Sequence, residues 1–182
     1  MNVVEPIRDI QKIEEFLAEL KNWNEKYYVL AFAGFYSGLR ISDLLVLRVA
    51  DVRDLDHFIV KEQKTGNTRR IKLNPQLKEV LTGYIKDKAD DEYLFRQRDV
   101  NAPISRQYAH KMLSAAAKKV GIKDKISTHS LRKSFGYHMY KQTKDVVLLQ
   151  EIFGHSAPSV TLRYIGYTSD MIDVAMDNFR LV

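Results

Sequence analysis

The segment from Tyr27 to Tyr36, YYVLAFAGFY, is apolar on nearly every side. A helix with one polar face can lie on a surface, but one that is apolar all round has to be enclosed by other elements. The chain is therefore expected to fold around a central helix over about Asn24–Ser37, ended by Gly38. The preceding stretch supplies one cover, because Ile10, Ile13, Phe16, Leu17 and Leu20 recur at three- and four-residue spacing and Asp9 is placed to cap them. A short helix over Ser42–Arg48 should follow, with Ser42 as its N-cap, which leaves Arg40 in the turn between two helices.

From His57 to Leu73 the pattern changes to alternating β-branched and polar residues, with Gly66-Asn67 marking a hairpin tip. This ribbon holds Lys61, Lys64, Arg69, Arg70 and Lys72, the densest basic patch in the chain. Asp51, Asp54 and Asp56 just before it read as turn residues rather than metal ligands. Helical patterns then resume over Pro75–Lys86 and over Ile104–Val120, where Ser105 is the cap and Arg106 and Lys111 are candidate DNA contacts. Ser127 or Thr128 opens another helix, and further ones are expected over about Lys144–Phe153, Pro158–Ile165 and Asp170–Phe179. The fold class is accordingly α+β, mainly α-helical, with one small antiparallel β-ribbon at about 57–73.

Composition narrows the function. With 29 Lys and Arg against 23 Asp and Glu, a formal charge of +6 suits a polyanionic partner. The chain has no Cys, so a disulfide framework and a thiolate metal site are both excluded. No apolar run approaches the ~20 residues of a membrane span, and a cytoplasmic protein without a membrane partner is expected.

The chemistry concentrates between Ile126 and Tyr167. His129 and Arg132 are three apart on one helix face, His155 follows a Gly, and Tyr164 ends a segment opened by a Pro. An Arg fork fits a phosphate and stays charged, so this set suits a tyrosine oxygen attacking a phosphodiester flanked by cations. It is a poor set for metal-assisted hydrolysis, and neither metal nor cofactor is expected. Tyr167, Tyr137 and Tyr140 lie close enough in sequence to rival Tyr164.

Arg40 lies far upstream in SGLRISDLL, and with it the chain resembles the tyrosine recombinase (phage integrase) family. Gly38, Leu39, Arg40 and Asp43 match the family's first motif, His129 and Arg132 its His-x-x-Arg motif, and Gly154 and His155 its Leu-Gly-His, with Phe153 replacing the Leu. Tyr164 stands nine residues after His155, as the family's nucleophile does. The resemblance implies a site-specific recombinase or integrase with a tyrosine-recombinase catalytic-domain fold. Its catalytic residues would be Tyr164, Arg40, Arg132, His129, His155 and the ribbon lysine Lys64, with Asp43 in support; Arg69, Arg70, Lys72, Arg106 and Lys111 would hold DNA.

The reaction so implied is cleavage through a 3′-phosphotyrosyl intermediate, with no metal, ATP or cofactor. A type IB topoisomerase-like activity and a non-catalytic DNA-binding accessory protein with the same fold are the alternatives. The partners implied are double-stranded DNA and further copies of the chain, a tetramer on DNA and a monomer in free solution. Relatives usually carry a helical DNA-binding domain before the catalytic one. Here residues 1–182 read as a single catalytic domain without a separate N-terminal core-binding domain, so either a piece of a longer protein or a minimal recombinase is expected. Met171–Val182, apolar at intervals, would pack on a neighbouring protomer or on its own core.

Overall fold

The central helix is present and enclosed. In the computed structural model, which describes residues 4–61, 66, 68–167 and 169–181, α1 (Ile10–Trp23) is followed by α2 (Glu25–Ser37), and eight of the 13 residues of α2 are buried. One side of α2 (Val29, Leu30, Phe32, Ala33) enters a core shared with α3 (Ile41–Leu45) and α4 (Pro75–Ile85). Its other side (Ala31, Phe35) enters a core with Phe16 and Leu20 of α1, Leu113 and Ala116 of α5 (Arg106–Lys119) and Leu131 of α6 (Thr128–Thr143). A third cluster joins Leu149 and Phe153 of α7 (Val146–Phe153) to Ile165, just after α8 (Pro158–Tyr164), against Phe135 and Met139 of α6. The last helix is α9 (Ser169–Asp177).

Two helix glycines bring the site-bearing helices together. A Cβ on Gly34 of α2 would come within 2.7 Å of Leu131 Cδ1, and one on Gly136 of α6 within 2.6 Å of Ile165. Both contacts are closer than carbon atoms tolerate, so α6 lies against α2 on one side and against the α7–α8 pair on the other because neither position carries a side chain.

The ribbon is antiparallel, β1 (His57–Lys61) against β2 (Thr68–Lys72), with Ile59 opposite Arg70 and His57 opposite Lys72. Alternation buries Val60 and leaves Ile59, Arg70 and Lys72 exposed. Asp54 and Asp56 are exposed turn and bend residues, as the sequence suggests, with Asp54 at φ +54° and Asp56 paired with Lys78 at 2.5 Å, whereas Asp51 ends a short 3-10 helix (Val49–Asp51) and accepts from the Arg48 amide.

The expectation for the third helix needs correction. It covers Ile41–Leu45 rather than Ser42–Arg48, and Arg40, not Ser42, stands at the N-cap position, where its carbonyl accepts from the amides of Asp43 (2.9 Å) and Leu44 (3.1 Å). Helix does not continue through Arg48 because the backbone there pairs with Glu92–Leu94: the Leu94 amide donates to Leu47 O at 2.8 Å and the Val49 amide to Glu92 O at 2.9 Å. A local helical pattern carries no mark of that competing extended partner.

Candidate active site

The site is built on three chain turns that α6 holds together. Ser127 is the N-cap of α6, its hydroxyl accepting from the His129 amide at 3.1 Å while Ser130 Oγ accepts from the Ser127 amide at 3.1 Å. This fixed start sets the angle at which His129 and Arg132 leave the helix.

Arg132 is the hub. Its side chain is buried, with the residue only 4% exposed, and its guanidinium donates to Gly38 O at 2.5 Å and to Phe153 O at 3.0 Å. The same group lies over the Phe153 ring at 4.4 Å. One side chain thus ties the end of α2 to the end of α7, and burial of its charge is offset by carbonyl dipoles and an aromatic face. Gly38 makes the first tie possible. Its φ of +62° ends α2 in the left-handed region, and a Cβ there would strike the Phe135 ring at 2.5 Å.

Arg40 follows directly, half-buried, with its Nη1 4.0 Å from Asp43 Oδ2; Asp43 is fully buried. On the far side, Gly154 ends α7 at φ +64°, and His155 faces Thr161 Oγ1 through Nδ1 at 3.0 Å. Tyr164, the last residue of α8, packs its ring edge-on against His155 (centroids 5.2 Å apart) and Phe153 (5.4 Å).

The electrostatics show how these groups converge. Burial pushes the Tyr164 phenol above its ordinary pKa, while Arg132, through its charge and a hydrogen bond, and Arg40 pull it back down. His155 is lowered by burial and then by Arg132 and Arg40. His129, although part of it faces solvent, is lowered by burial and by the charges of Arg132, Arg106, Lys133 and Arg40. Both imidazoles are therefore held neutral, able to accept a proton, beside two permanent cations. Such an arrangement can gather a phosphate, take a proton from a phenol and stabilise the charge that grows during attack.

Five of the expected residues, Arg40, His129, Arg132, His155 and Tyr164, thus share one site with Asp43. Arg106, at the first turn of α5, is exposed and near enough to act on His129. Arg70 and Lys72 line a groove of about 680 Å³ that runs to Gly38 and Arg132, and Arg70 also meets His57 Nδ1 at 3.1 Å. Lys111 is exposed further along α5, five residues and so about 140° around the helix from Arg106. Lys64 lies outside the described residues, as does the side chain of Arg69. Among the described residues no three His, Asp or Glu side chains are grouped to hold a metal ion.

The rival tyrosines face elsewhere. Tyr167 stacks edge-on with Tyr140 at 5.1 Å, and Tyr137 lies beside His138 and under Arg8. Sequence reading missed Thr161, which orients His155, and Lys133, whose ammonium lies 5.5 Å from the Tyr164 ring centroid. No spacing rule marks Thr161; Lys133 carried a signal only in its adjacency to Arg132.

The sequence profile of the phage integrase family matches residues 8–170, nearly the whole chain. The chain belongs to the phage integrase family. This recombinase is 44% identical over 179 residues to the probable integrase/recombinase YoeC of Bacillus subtilis, with 98% of each chain covered. Its fold is similar to the crystal structure of the XerA recombinase (TM-score 0.78, 19% identity, 97% of this chain and 66% of that one). It is also similar to XerH bound to its difH substrate in a post-cleavage complex (TM-score 0.73, 19% identity, 97% of this chain and 54% of that one). The chain spans nearly all of YoeC but 60% of the Pyrococcus XerA recombinases that it matches. The family is one of DNA breaking and rejoining enzymes, and site-specific recombination is the function these relatives support; topoisomerase-like and non-catalytic readings are not favoured. No helix among the described residues is long and apolar enough to cross a membrane.

Proposed function

We propose that Tyr164 is the nucleophile of a site-specific DNA recombinase and that the chain acts as its catalytic domain. The phenol oxygen forms a bond to phosphorus, the bond from phosphorus to the 5′ oxygen breaks, and a 3′-phosphotyrosyl link and a free 5′-hydroxyl result. The phenol proton passes to neutral His129, and Lys64 supplies the proton that the departing 5′ oxygen needs. Arg40 and Arg132 hold the non-bridging oxygens, His155 hydrogen-bonds one of them, and Asp43 supports Arg40. The energy of the phosphodiester is kept in the covalent link, so a second 5′-hydroxyl can reseal it without ATP.

The observation that carries this reading is the convergence on Tyr164, and not on Tyr137, Tyr140 or Tyr167, of a hydrogen bond from Arg132, the charge of Arg40 and the ring of His155. The partner is double-stranded DNA, with Arg69, Arg70, Lys72, Arg106 and Lys111 on flanking phosphates. The working form is a tetramer on DNA, assembled in the cytoplasm from monomers. The apolar side chains Ile172, Val174, Met176 and Phe179, each more than half exposed, are the surface available for contact between protomers.

Covalent trapping on nicked DNA taken from the flanks of the gene tests the reading. Wild type and Tyr167→Phe should both give an SDS-resistant, protease-sensitive adduct, and Tyr164→Phe none. An adduct that survives in Tyr164→Phe would remove the assignment.

A further inference from the structure

Behind the nucleophile, the chain just before α1 crosses back over the end of the fold. Ile7 is buried, and its backbone is held from both sides by α6: its amide donates to Ser134 Oγ at 2.7 Å and its carbonyl meets His138 Nε2 at 2.9 Å. Arg8 donates to Glu5 Oε2 at 2.8 Å, reaches Gly166 O at 3.5 Å and lies 5.7 Å from the Tyr137 ring centroid. Residues 5–8 therefore press on the turn two residues beyond Tyr164. A Cβ on Gly166 would meet Arg8 Nη2 at 3.0 Å, Glu5 Oε2 at 3.3 Å and Pro6 Cδ at 3.4 Å. Lys133 stands between this strap and the nucleophile. It is half-buried, its ammonium feels Glu5 and Arg8 on one side, and on the other it sits over the Tyr164 ring.

We infer that Lys133, opposed by Glu5, which Arg8 in turn fixes, is a positioning residue that holds the Tyr164 ring in the site. The inference rests on the reading of Tyr164 as nucleophile. An ammonium within about 6 Å of an aromatic face is attracted to it, and the attraction grows as water is removed. Burial holds the Lys133 pKa below the ordinary value; Glu5 partly restores it, and the like charge of Arg8 lowers it again. Glu5 thereby favours a charged cation against the ring rather than a mobile surface lysine. The cation also joins Arg132 on α6, Arg40 after α2 and His155 after α7 as the groups whose charge or ring Tyr164 faces. Glu5, fixed by its 2.8 Å pair with Arg8, acts through Lys133 and touches no reacting atom.

The test uses the full chain with nicked DNA at saturating concentration, and 3-fluorotyrosine placed at position 164 for fluorine NMR. Lys133→Met should slow adduct formation roughly threefold to thirtyfold, shift the pH dependence of that rate and the fluorophenol titration to higher pH, and leave the unfolding midpoint close to wild type. Lys133→Arg should restore both. Glu5→Gln should slow the adduct in the same direction by a smaller factor, although removing a carboxylate would strengthen a purely electrostatic attraction to DNA. Loss confined to the DNA Kd in Lys133→Met, with unchanged adduct rate and titration, would overturn the inference and make Lys133 a phosphate contact. A faster or unchanged rate in Glu5→Gln would detach the strap from the site. Should wild type give no adduct, the nucleophile reading fails, while the fluorine titration still reports whether Lys133 governs the ring.

Discussion

The wall formed by α6, α7 and α8 and the ribbon β1–β2 both carry cations, but they hold them differently. Arg132 is buried and each of its ends is bonded to a named carbonyl, whereas Arg70 and Lys72 are exposed on a two-stranded edge. A buried guanidinium is tolerable only with fixed acceptors, so its position is determined to a fraction of an ångström. An exposed cation loses little by moving, and its contribution to a polyanion is the release of counterions. On the proposed function, equal charges would thus do separate work, geometry in the wall and affinity on the ribbon.

The sharpest way to break this distinction is Arg132→Met. If the wall provides geometry, adduct formation at saturating DNA should fall by about 10³-fold, since a transition-state contact is lost. Stability should fall by less than about 3 kcal/mol in urea unfolding, because the methionine also removes the cost of burying a charge. A loss recovered by adding more DNA would place Arg132 with the ribbon instead.

Gly38→Ala reaches the same wall through the backbone. An alanine at φ +62° costs about 1–2 kcal/mol, and the Phe135 ring at 2.5 Å adds about 1–3 kcal/mol of overpacking. The expected outcome is a destabilisation of about 2–5 kcal/mol by urea unfolding, with slower cleavage even well below the melting temperature, since Gly38 O is an acceptor of Arg132. Unchanged cleavage in a destabilised variant would show that this carbonyl is only structural.

These two residues also mark how far the sequence could be read. Gly38 was legible as a helix stop and Arg132 as a helical neighbour of His129, because both follow from local periodicity. That Arg132 binds the Gly38 carbonyl, 94 residues away in sequence, was not, since local pattern carries no information on which loops meet. The candidate site residues themselves were suggested mainly by resemblance; residue chemistry alone left Tyr137, Tyr140 and Tyr167 as rivals to Tyr164. The enclosed α2 was plain from its all-round apolarity, while the early end of α3 depended on a backbone partner over 40 residues on. Lys133 and the strap were missed because a lysine beside a motif arginine looks like any solvated residue until the ring beneath it is placed.

The histidines give a smaller effect with a definite sign. Both are held below the ordinary value of 6.5, His129 chiefly by burial and then Arg132, His155 by burial and then Arg132 and Arg40. The folded chain therefore resists protonating them. Their contribution to stability is present above pH 6.5 and is lost as pH falls through the lowered values. Adduct formation should share that acid limb, with an inflection below pH 6.5, because a protonated His129 cannot take the phenol proton. His129→Gln should slow cleavage and flatten the limb, while an inflection above 6.5 in wild type would contradict the neutral-imidazole wall.

The ribbon should give the smallest effect on chemistry and a distinct signature in salt. In Arg70→Ala and Lys72→Ala, each lost phosphate contact should reduce the slope of log K against log salt by about 0.9. The cleavage rate at saturating DNA should stay close to wild type. Arg70 also meets His57, so its replacement frees a surface partner, but an exposed contact of that kind adds little to stability. If instead the slope is unchanged and the saturated rate falls, the ribbon is fixing the scissile phosphate as the wall does. The separation of geometry from affinity would then apply to the α5 cations rather than to β2, and Arg106→Ala, with Arg106 exposed yet near enough to act on His129, becomes the variant that decides between them.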